Sequence, residues 1–183
     1  VAVVTGAGDK AFCSGADLGR FIPLMSRARP PEDEWDRRLL ADGEMLGRGL
    51  LRTFDVVKPV IAAINGHAIA GGMELAQGTD LRVASESAKL GVQEVKWAIF
   101  PGGGSTVRLP RQIPYARAME LLLTGDLITA AEALELGFLN RVVPQADVLP
   151  TALDLAERIA ANGPIAVQAI RRSARACLGR PEA

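Results

Sequence analysis

The stretch INGHAIAGGMELA, residues 64–76, decides the fold. It completes the apolar run VIAAI (residues 60–64), which predicts a buried strand, and an Asn-Gly turn follows. Gly71 and Gly72 then open a predicted short helix, where bare backbone N–H groups and the helix dipole favour negative charge on a ligand. Glu74 lies one turn further on, on roughly the same face. Taken alone, Glu74 is slightly better explained as a residue that only complements the helix N-terminus.

Outward from this stretch, strands and helices alternate early in the chain and helices dominate late. We expect a loop over 11–17, an exposed loop over 26–34 and one helix from Trp35 to about Val56. The predicted strands are 1–5, 60–64 and 81–84, and the predicted helices are 71–77, 105–112, 115–123, 130–136, 150–162 and 164–178. This pattern predicts an α/β core over residues 1–115, followed by a mostly helical C-terminal part of the same domain over residues 116–183.

Composition and charge exclude several classes of function. The 183 residues are 49% hydrophobic, and 21 basic side chains balance 21 acidic ones, so we expect no nucleic-acid surface. Cys13 and Cys177 form no CxxC pair and there is a single His, which argues against a metal site. No apolar run is long enough to span a membrane, and no signal peptide is visible. Because the sequence opens at Val1 within a predicted strand, we expect it to be part of a longer chain.

A glycine pattern near the start imitates a dinucleotide-binding loop. Residues 6–11, GAGDKA, fit G-x-G-x-x-G/A directly after a strand. That fingerprint requires a helix to begin within the glycines, so that its N-terminus meets the pyrophosphate. The following residues 12–16, FCSGA, have no helical period, and we therefore reject a nicotinamide-dependent enzyme.

Several ordered motifs together resemble the crotonase (enoyl-CoA hydratase/isomerase) superfamily almost from end to end. They are KAFCSGADL (10–18), INGHAIAGGMELA (64–76), DLRVA (80–84), LGVQE (90–94), PGGGS (101–105) with Arg108-Leu109, and the stretch 124–143. Two positions depart from the family pattern. Ala70 replaces a common Gly, and Gln93 replaces the usual Pro before Glu94.

The resemblance implies a crotonase-like (ClpP/crotonase) spiral of ββα units, with the opening strands and closing helices absent from this sequence. It also implies an acyl-CoA thioester substrate, whose carbonyl oxygen is held in an oxyanion hole by the backbone N–H groups of Ala16 and Gly71. Glu74 and Glu94 match the acids of family hydratases, with Glu74 activating water and Glu94 supplying the Cα proton. The residues implied in substrate binding are Lys10, Asp17, Leu18 and Gly102.

Other consequences of the resemblance leave alternatives open. Family isomerases manage with an acid at the Glu94 position alone, and a homologue that binds acyl-CoA without turnover is a further alternative. The resemblance implies no metal and no cofactor, since coenzyme A arrives with the substrate. It also implies a homotrimer or homohexamer in which the C-terminal helices meet. The Ala- and Arg-rich composition suggests a bacterial, cytoplasmic protein.

Overall fold

In the computed structural model, which describes residues 1–178, the strands form two separate sheets. The first sheet has the order β1-β3-β5-β8, and all its strands are parallel. The second has the order β2-β4-β6-β7, and only the β6–β7 pair is antiparallel. The strands are β1 (Ala2–Thr5), β2 (Ala11–Cys13), β3 (Val60–Ile64), β4 (His67–Ile69), β5 (Leu81–Ser85), β6 (Lys89–Gly91), β7 (Ile128–Thr129) and β8 (Arg141–Val143).

Each turn of the chain adds one strand to each sheet, which is the spiral that the resemblance implies. The side chain of Asn65, in the turn between β3 and β4, links two neighbouring turns of this spiral. Its Oδ1 accepts from the N–H of Gly6 at 2.9 Å, and its Nδ2 donates to the carbonyl of Gly8 at 2.8 Å. No helix begins within the glycines of residues 6–11, where the chain instead enters β2, so the rejection of a dinucleotide-binding loop is confirmed.

The helices occupy the connections and the C-terminal part. They are α1 (Phe21–Met25), α2 (Glu34–Ala41), α3 (Met45–Gly49), α4 (Gly71–Gly78), α5 (Ser105–Gln112), α6 (Tyr115–Thr124), α7 (Ala130–Glu135), α8 (Val148–Ala160) and α9 (Pro164–Cys177). Short 3-10 helices span Glu94–Trp97 and Gln145–Asp147. Among residues 1–178, no helix combines the length and apolar character needed to cross a bilayer.

Two expectations for the first sixty residues were wrong in part. The single helix from Trp35 to about Val56 is divided into α2 and α3, because Asp42 has φ −119° and ψ 87°, outside the helical region. The loop expected over 11–17 begins with β2, which pairs with β4 through backbone hydrogen bonds.

The core packs on both faces of β3, as expected for a central parallel strand. Ala62 and Ile64 belong to the main cluster, together with Met73 of α4 and Phe138. Ile61 and Ala63 face the other way, into a cluster that α8 completes with Val148 and Ala152. The strand is therefore a rigid base for the turn and the helix α4 that follow it. The division into residues 1–115 and 116–183 stays a prediction, and residues 179–183 lie outside the described part.

Candidate active site

The two predicted oxyanion segments lie against each other. Gly15 follows β2 with φ +90°, and a Cβ built on it would lie 3.1 Å from the backbone N of Gly71 and 3.0 Å from the Cβ of Ala70. The pairing of β2 with β4 produces this approach, because Gly15 and Gly71 each follow one of the two strands. Within residues 1–178, neither Ala16 nor Gly71 donates its N–H to another protein group. The structure thus brings the two segments together at Gly15 and Gly71, and the oxyanion role of the Ala16 and Gly71 N–H groups stays a prediction.

Ala70, between β4 and α4, has an unusual backbone conformation. Its φ is +54° and its ψ is −122°, a combination that favours glycine because a Cβ crowds the backbone there. The departure from the family's common glycine at this position therefore stores strain next to Gly71.

Glu74 is buried, with 3% of its surface exposed, and both oxygens of its carboxylate are bound by the start of α5. Oε2 accepts from the N–H of Gly103 at 3.0 Å, and Oε1 accepts from the N–H of Ser105 at 3.2 Å. These are N–H groups that a helix start leaves without a partner in the helix, so Glu74 caps α5. Burial raises the pKa of Glu74, while the hydrogen bonds from Ser105 and Gly103 and the charge of Arg108 oppose that rise.

Glu94 opens the 3-10 helix Glu94–Trp97 and is partly buried. Its Oε2 is buried and has no hydrogen-bond partner within the described chain. Burial is the main cause that raises the pKa of Glu94 to about 7, and the charge of Glu74 raises it further. The two predicted acids are therefore electrostatic neighbours with different environments, one anchored by donors and one with a free, desolvated oxygen.

Sequence reasoning missed the groups that hold Glu74 in place. Arg108 of α5 donates to the carbonyl oxygens of Glu74 at 3.2 Å and Leu50 at 3.0 Å, and to that of Leu51. Gly103 is required to be glycine, since a Cβ there would lie 2.1 Å from Oε2 of Glu74. The sequence does contain a signal for this contact. The glycines ahead of α5 predict a helix N-terminus whose free backbone N–H groups can bind a carboxylate.

The predicted substrate-binding residues have varied surroundings. Lys10 is exposed, and its carbonyl accepts from the N–H of His67 at 3.2 Å. The Oδ1 of Asp17 accepts from the N–H groups of Gly19 at 2.9 Å and Arg20 at 3.2 Å, which shapes the turn before α1. Leu18 is 41% exposed. The exposed Gly102 lies next to Gly103, and its carbonyl accepts from Arg52 at 2.8 Å.

A cavity of about 900 Å³ borders the same glycine segment but does not contain the acids. It is lined by Gly102 and Gly104, by α5 and by α9, and Ala16, Gly71, Glu74 and Glu94 are not part of its wall. Arg171 and Arg175 of α9 reach it and bind Asp80 at 2.8 and 3.1 Å. The predicted catalytic and oxyanion residues therefore lie outside this cavity, and their roles stay a prediction. In the described part of the chain, no three His, Cys, Asp or Glu side chains are grouped to hold a metal ion.

Comparisons with known proteins identify the family of this chain. The family model described as enoyl-CoA hydratase/isomerase matches residues 1–182. An enoyl-CoA hydratase of Mycobacterium tuberculosis is 50% identical over 98% of this chain and 65% of its own length. An (E)-benzylidenesuccinyl-CoA hydratase of Thauera aromatica is 44% identical over 95% of this chain and 64% of its own length.

Solved structures confirm the predicted fold class. The crystal structure of an enoyl-CoA hydratase from Mycobacterium tuberculosis H37Rv superposes with a TM-score of 0.80 at 42% identity, covering 97% of this chain and 64% of that one. The chain thus spans somewhat less than two thirds of the length of the proteins it matches. With the family model matched throughout and half the residues shared with a curated relative, the chain belongs to the enoyl-CoA hydratase/isomerase family.

Proposed function

We propose that this chain carries the catalytic centre of a 2-enoyl-CoA hydratase, which adds water across the C2=C3 double bond to give a 3-hydroxyacyl-CoA. The observation that carries the proposal is a pair of electrostatically coupled carboxylates with different surroundings, the buried Glu74 and the partly buried Glu94, whose Oε2 has no hydrogen-bond partner within the described chain. The two curated relatives described above, both named as hydratases, support the same reaction.

The thioester carbonyl oxygen accepts hydrogen bonds from the N–H groups of Ala16 and Gly71. These donors stabilise the enolate that forms as water attacks Cβ, and one such preorganised donor is worth roughly 10²–10³ in rate. Only backbone atoms are needed, which agrees with the small residues on both sides of the contact between Gly15 and Gly71.

The two acids divide the proton transfers. Glu74, with both oxygens bound by backbone donors, acts as the carboxylate that takes a proton from the attacking water. Glu94, with a pKa of about 7, holds a proton near neutral pH and delivers it to Cα. General acid–base steps of this kind contribute about 10²–10⁴ each. A C–O bond forms at Cβ and a C–H bond forms at Cα, while the π bond of C2=C3 and one O–H bond of water break. The proton left on Glu74 returns to Glu94 through solvent.

The proposal includes an acyl-CoA thioester as the substrate, with Lys10, Asp17, Leu18 and Gly102 at its binding surface. It requires no metal and no further cofactor, because coenzyme A belongs to the substrate and hydration involves no change of oxidation state overall. We also propose that the full-length protein acts as a homotrimer or homohexamer in a bacterial cytoplasm.

The test follows the ultraviolet band of a conjugated trans-2-enoyl-CoA incubated with the full-length protein. We expect the band to disappear with the wild type and to persist with Glu94→Gln and with Glu74→Gln. If Glu74→Gln still hydrates the substrate, the role given to Glu74 is wrong. If the wild type leaves the band unchanged but converts a 3-enoyl-CoA into its 2-enoyl isomer, the protein is an isomerase.

A further inference from the structure

The position of Glu94 depends on the short 3-10 helix Glu94–Trp97 that carries it. The Oε2 of Glu94 is buried and has no hydrogen-bond partner within residues 1–178. Glu74 differs, because a backbone N–H binds each of its two oxygens. The location of the Glu94 carboxyl is therefore set mainly by the contacts that hold the 3-10 helix.

The turn at the end of α6 lies directly against this 3-10 helix. Gly125 ends α6 with φ +68°, and a Cβ built on it would lie 2.9 Å from Cγ1 of Val95 and 3.0 Å from Cγ of Lys96. Lys96 also binds the carboxylate of Asp126 at 3.0 Å. Both of these charged side chains are exposed, and such a pair contributes at most about 1 kcal/mol. The surface pair is thus a weak restraint on the 3-10 helix.

Gln93, immediately before Glu94, makes a partly buried hydrogen bond across the same contact. Its Nε2 donates to the carbonyl oxygen of Gly125 at 3.3 Å. A carbonyl oxygen can only accept, so the NH₂ end of the amide must face α6. The carbonyl at the end of a helix has no partner within the helix. This one bond therefore satisfies the end of α6 and restrains the residue next to the acid.

The local backbone gives the 3-10 helix little support of its own. Gln93 has φ −95° and ψ 4°, in the sparsely allowed bridge region, and its side chain does not cap the 3-10 helix. Its carbonyl accepts from the N–H of Lys96 at 3.0 Å, but hydrogen bonds of this 3-10 type have poor geometry. The bond to Gly125, which joins positions 32 residues apart, supplies a restraint that the short helix lacks.

We propose that Gln93 is a positioning residue for the hydration reaction: its hydrogen bond to Gly125 holds the 3-10 helix against α6 and so fixes the place from which Glu94 delivers its proton. This inference rests on the proposed function and adds to it a residue that acts through Glu94. Burial is the main cause of the raised pKa of Glu94. A loosened 3-10 helix admits water to the carboxyl, which lowers that pKa toward its ordinary value.

The experiment compares the pH profiles of kcat and kcat/KM for the full-length wild type and Gln93→Met. Met has a similar length but no N–H to donate. We expect the basic limb, where Glu94 must keep its proton, to move down by about 0.5–1 pH unit, the equivalent of one neutral hydrogen bond. Above the limb, kcat should therefore fall by about 3–10-fold. KM and the acidic limb of Glu74 should stay unchanged, which a general loss of folded protein would not produce.

Gln145→Met is the matched control. Gln145 also begins a 3-10 helix, and its Nε2 donates to the backbone carbonyl of Asn65 at 2.9 Å and to that of Asp9. These partners are not part of the contact that holds Glu94, so the replacement should leave the basic limb in place. A basic limb that does not move in Gln93→Met, or that moves equally in Gln145→Met, would overturn the proposal.

A direct titration separates this inference from the proposed function. The carboxyl carbon of Glu94, followed by ¹³C NMR, should titrate at lower pH in Gln93→Met than in the wild type, whether or not the protein hydrates an enoyl-CoA. If the titration shifts but the wild type hydrates nothing, the positioning contact stands and the reaction is wrong. If Gln93→Met does not fold, Gln93→Asn, which is one methylene shorter, withdraws the same donor. An unshifted Glu94 in that variant contradicts the inference.

Discussion

The side chain of Glu74 can reach the first turn of α5 only because residue 103 has no Cβ. A methyl group at Gly103 would lie 2.1 Å from Oε2 of Glu74 and 2.5 Å from Cδ1 of Leu50. Glu74 cannot move away without losing a hydrogen bond, since it is buried and Gly103 is one of its donors. The position of the Glu74 carboxylate therefore depends on the absence of a Cβ from residue 103.

We predict that Gly103→Ala lowers kcat by roughly 10²-fold while the protein stays folded, because the carboxylate must leave its donors. An acid–base group displaced from its position forfeits a contribution of about that size. The measurement is the rate of loss of the enoyl band, with circular dichroism to verify folding. Gly49→Ala is the control, since a Cβ at this exposed position would meet no heavy atom within 4 Å. Equal losses in the two variants would refute this account.

Glu94 should make the protein less stable as the pH rises. Its pKa is raised from 4.5 to about 7, so the folded state holds this proton more tightly than the unfolded state does. The resulting stability is present below about pH 4.5 and is lost as the pH approaches 7. We expect Glu94→Gln to raise the free energy of unfolding, relative to the wild type, by about 1–3 kcal/mol more at pH 8 than at pH 4.5. Urea denaturation at both pH values measures this, and a pH-independent difference would contradict it.

The strain at Ala70 gives a prediction of the opposite kind, a substitution that stabilises. Ala70→Gly should relieve a backbone conformation with φ +54° and ψ −122°. Such strain costs about 1–3 kcal/mol, against roughly 0.5–1 kcal/mol for the greater freedom of glycine in the unfolded chain. We expect a net gain of about 1 kcal/mol by urea denaturation. Ala131→Gly, at an exposed site within α7, should instead lose about 1 kcal/mol.

Among the elements, those with strong local signals were predicted well and the short ones were not. The apolar run of β3 and the helices α5 and α6 were predicted nearly to the residue. The strands β4, β6 and β7 have only two or three residues, too few to show a period of two. The break between α2 and α3 carried an Asp-Gly turn signal that the apolar spacing on either side concealed.

Two cations, Arg171 and Arg175, attach helix α9 to Asp80, and Arg171 is the buried one. Arg171 is buried, and it donates to Oδ2 of Asp80 and to Oδ1 of Asp55, each at 2.8 Å. Asp80 also accepts from the N–H of Val60, at the start of β3. The last helix is thus linked through a carboxylate to the central strand of the first sheet.

We predict that Arg171→Met destabilises the fold by about 2 kcal/mol and speeds hydrogen exchange in α9. Removing one partner of a fully buried pair costs roughly 3–5 kcal/mol, and the exposed Asp55 reduces that figure here. Exchange measured by mass spectrometry should rise in α9 before it rises in β3. Arg172→Met, at the exposed neighbouring position, should leave both quantities unchanged. The anchoring role fails if the two variants behave alike.

At the scale of the whole molecule, the sequence predicted the spiral and its acids through ordered motifs, but not the contacts between turns. Glu74 and its donor Gly103 are separated by 29 residues, and their hydrogen bond depends on how α4 packs against α5. No local period encodes such a contact. The neighbouring turn of the spiral supplies the partner, so the anchoring of Glu74 became visible only in the folded chain.

The exposed apolar face of α9 favours self-association of the full-length protein. Ile165 is 84% exposed in the isolated chain. We predict that light scattering gives the mass of a trimer or hexamer, and that Ile165→Glu shifts the protein toward the monomer. Gln168→Glu adds the same charge at another exposed position of α9 and should leave the assembly intact. A wild-type monomer at micromolar concentration would contradict the expectation.

The spiral also determines the order in which the segments around Glu74 are translated and can pack together. A nascent chain that has left the ribosome through α4 holds the segments of Ala16 and Gly71, but Glu74 then lacks its two backbone donors and Glu94 is still to come. A carboxylate without donors favours contact with water over the interior. The second turn of the spiral can therefore pack completely only after the third has been translated. A chain that ends before α5 would have to bury the Glu74 carboxylate without its two backbone donors.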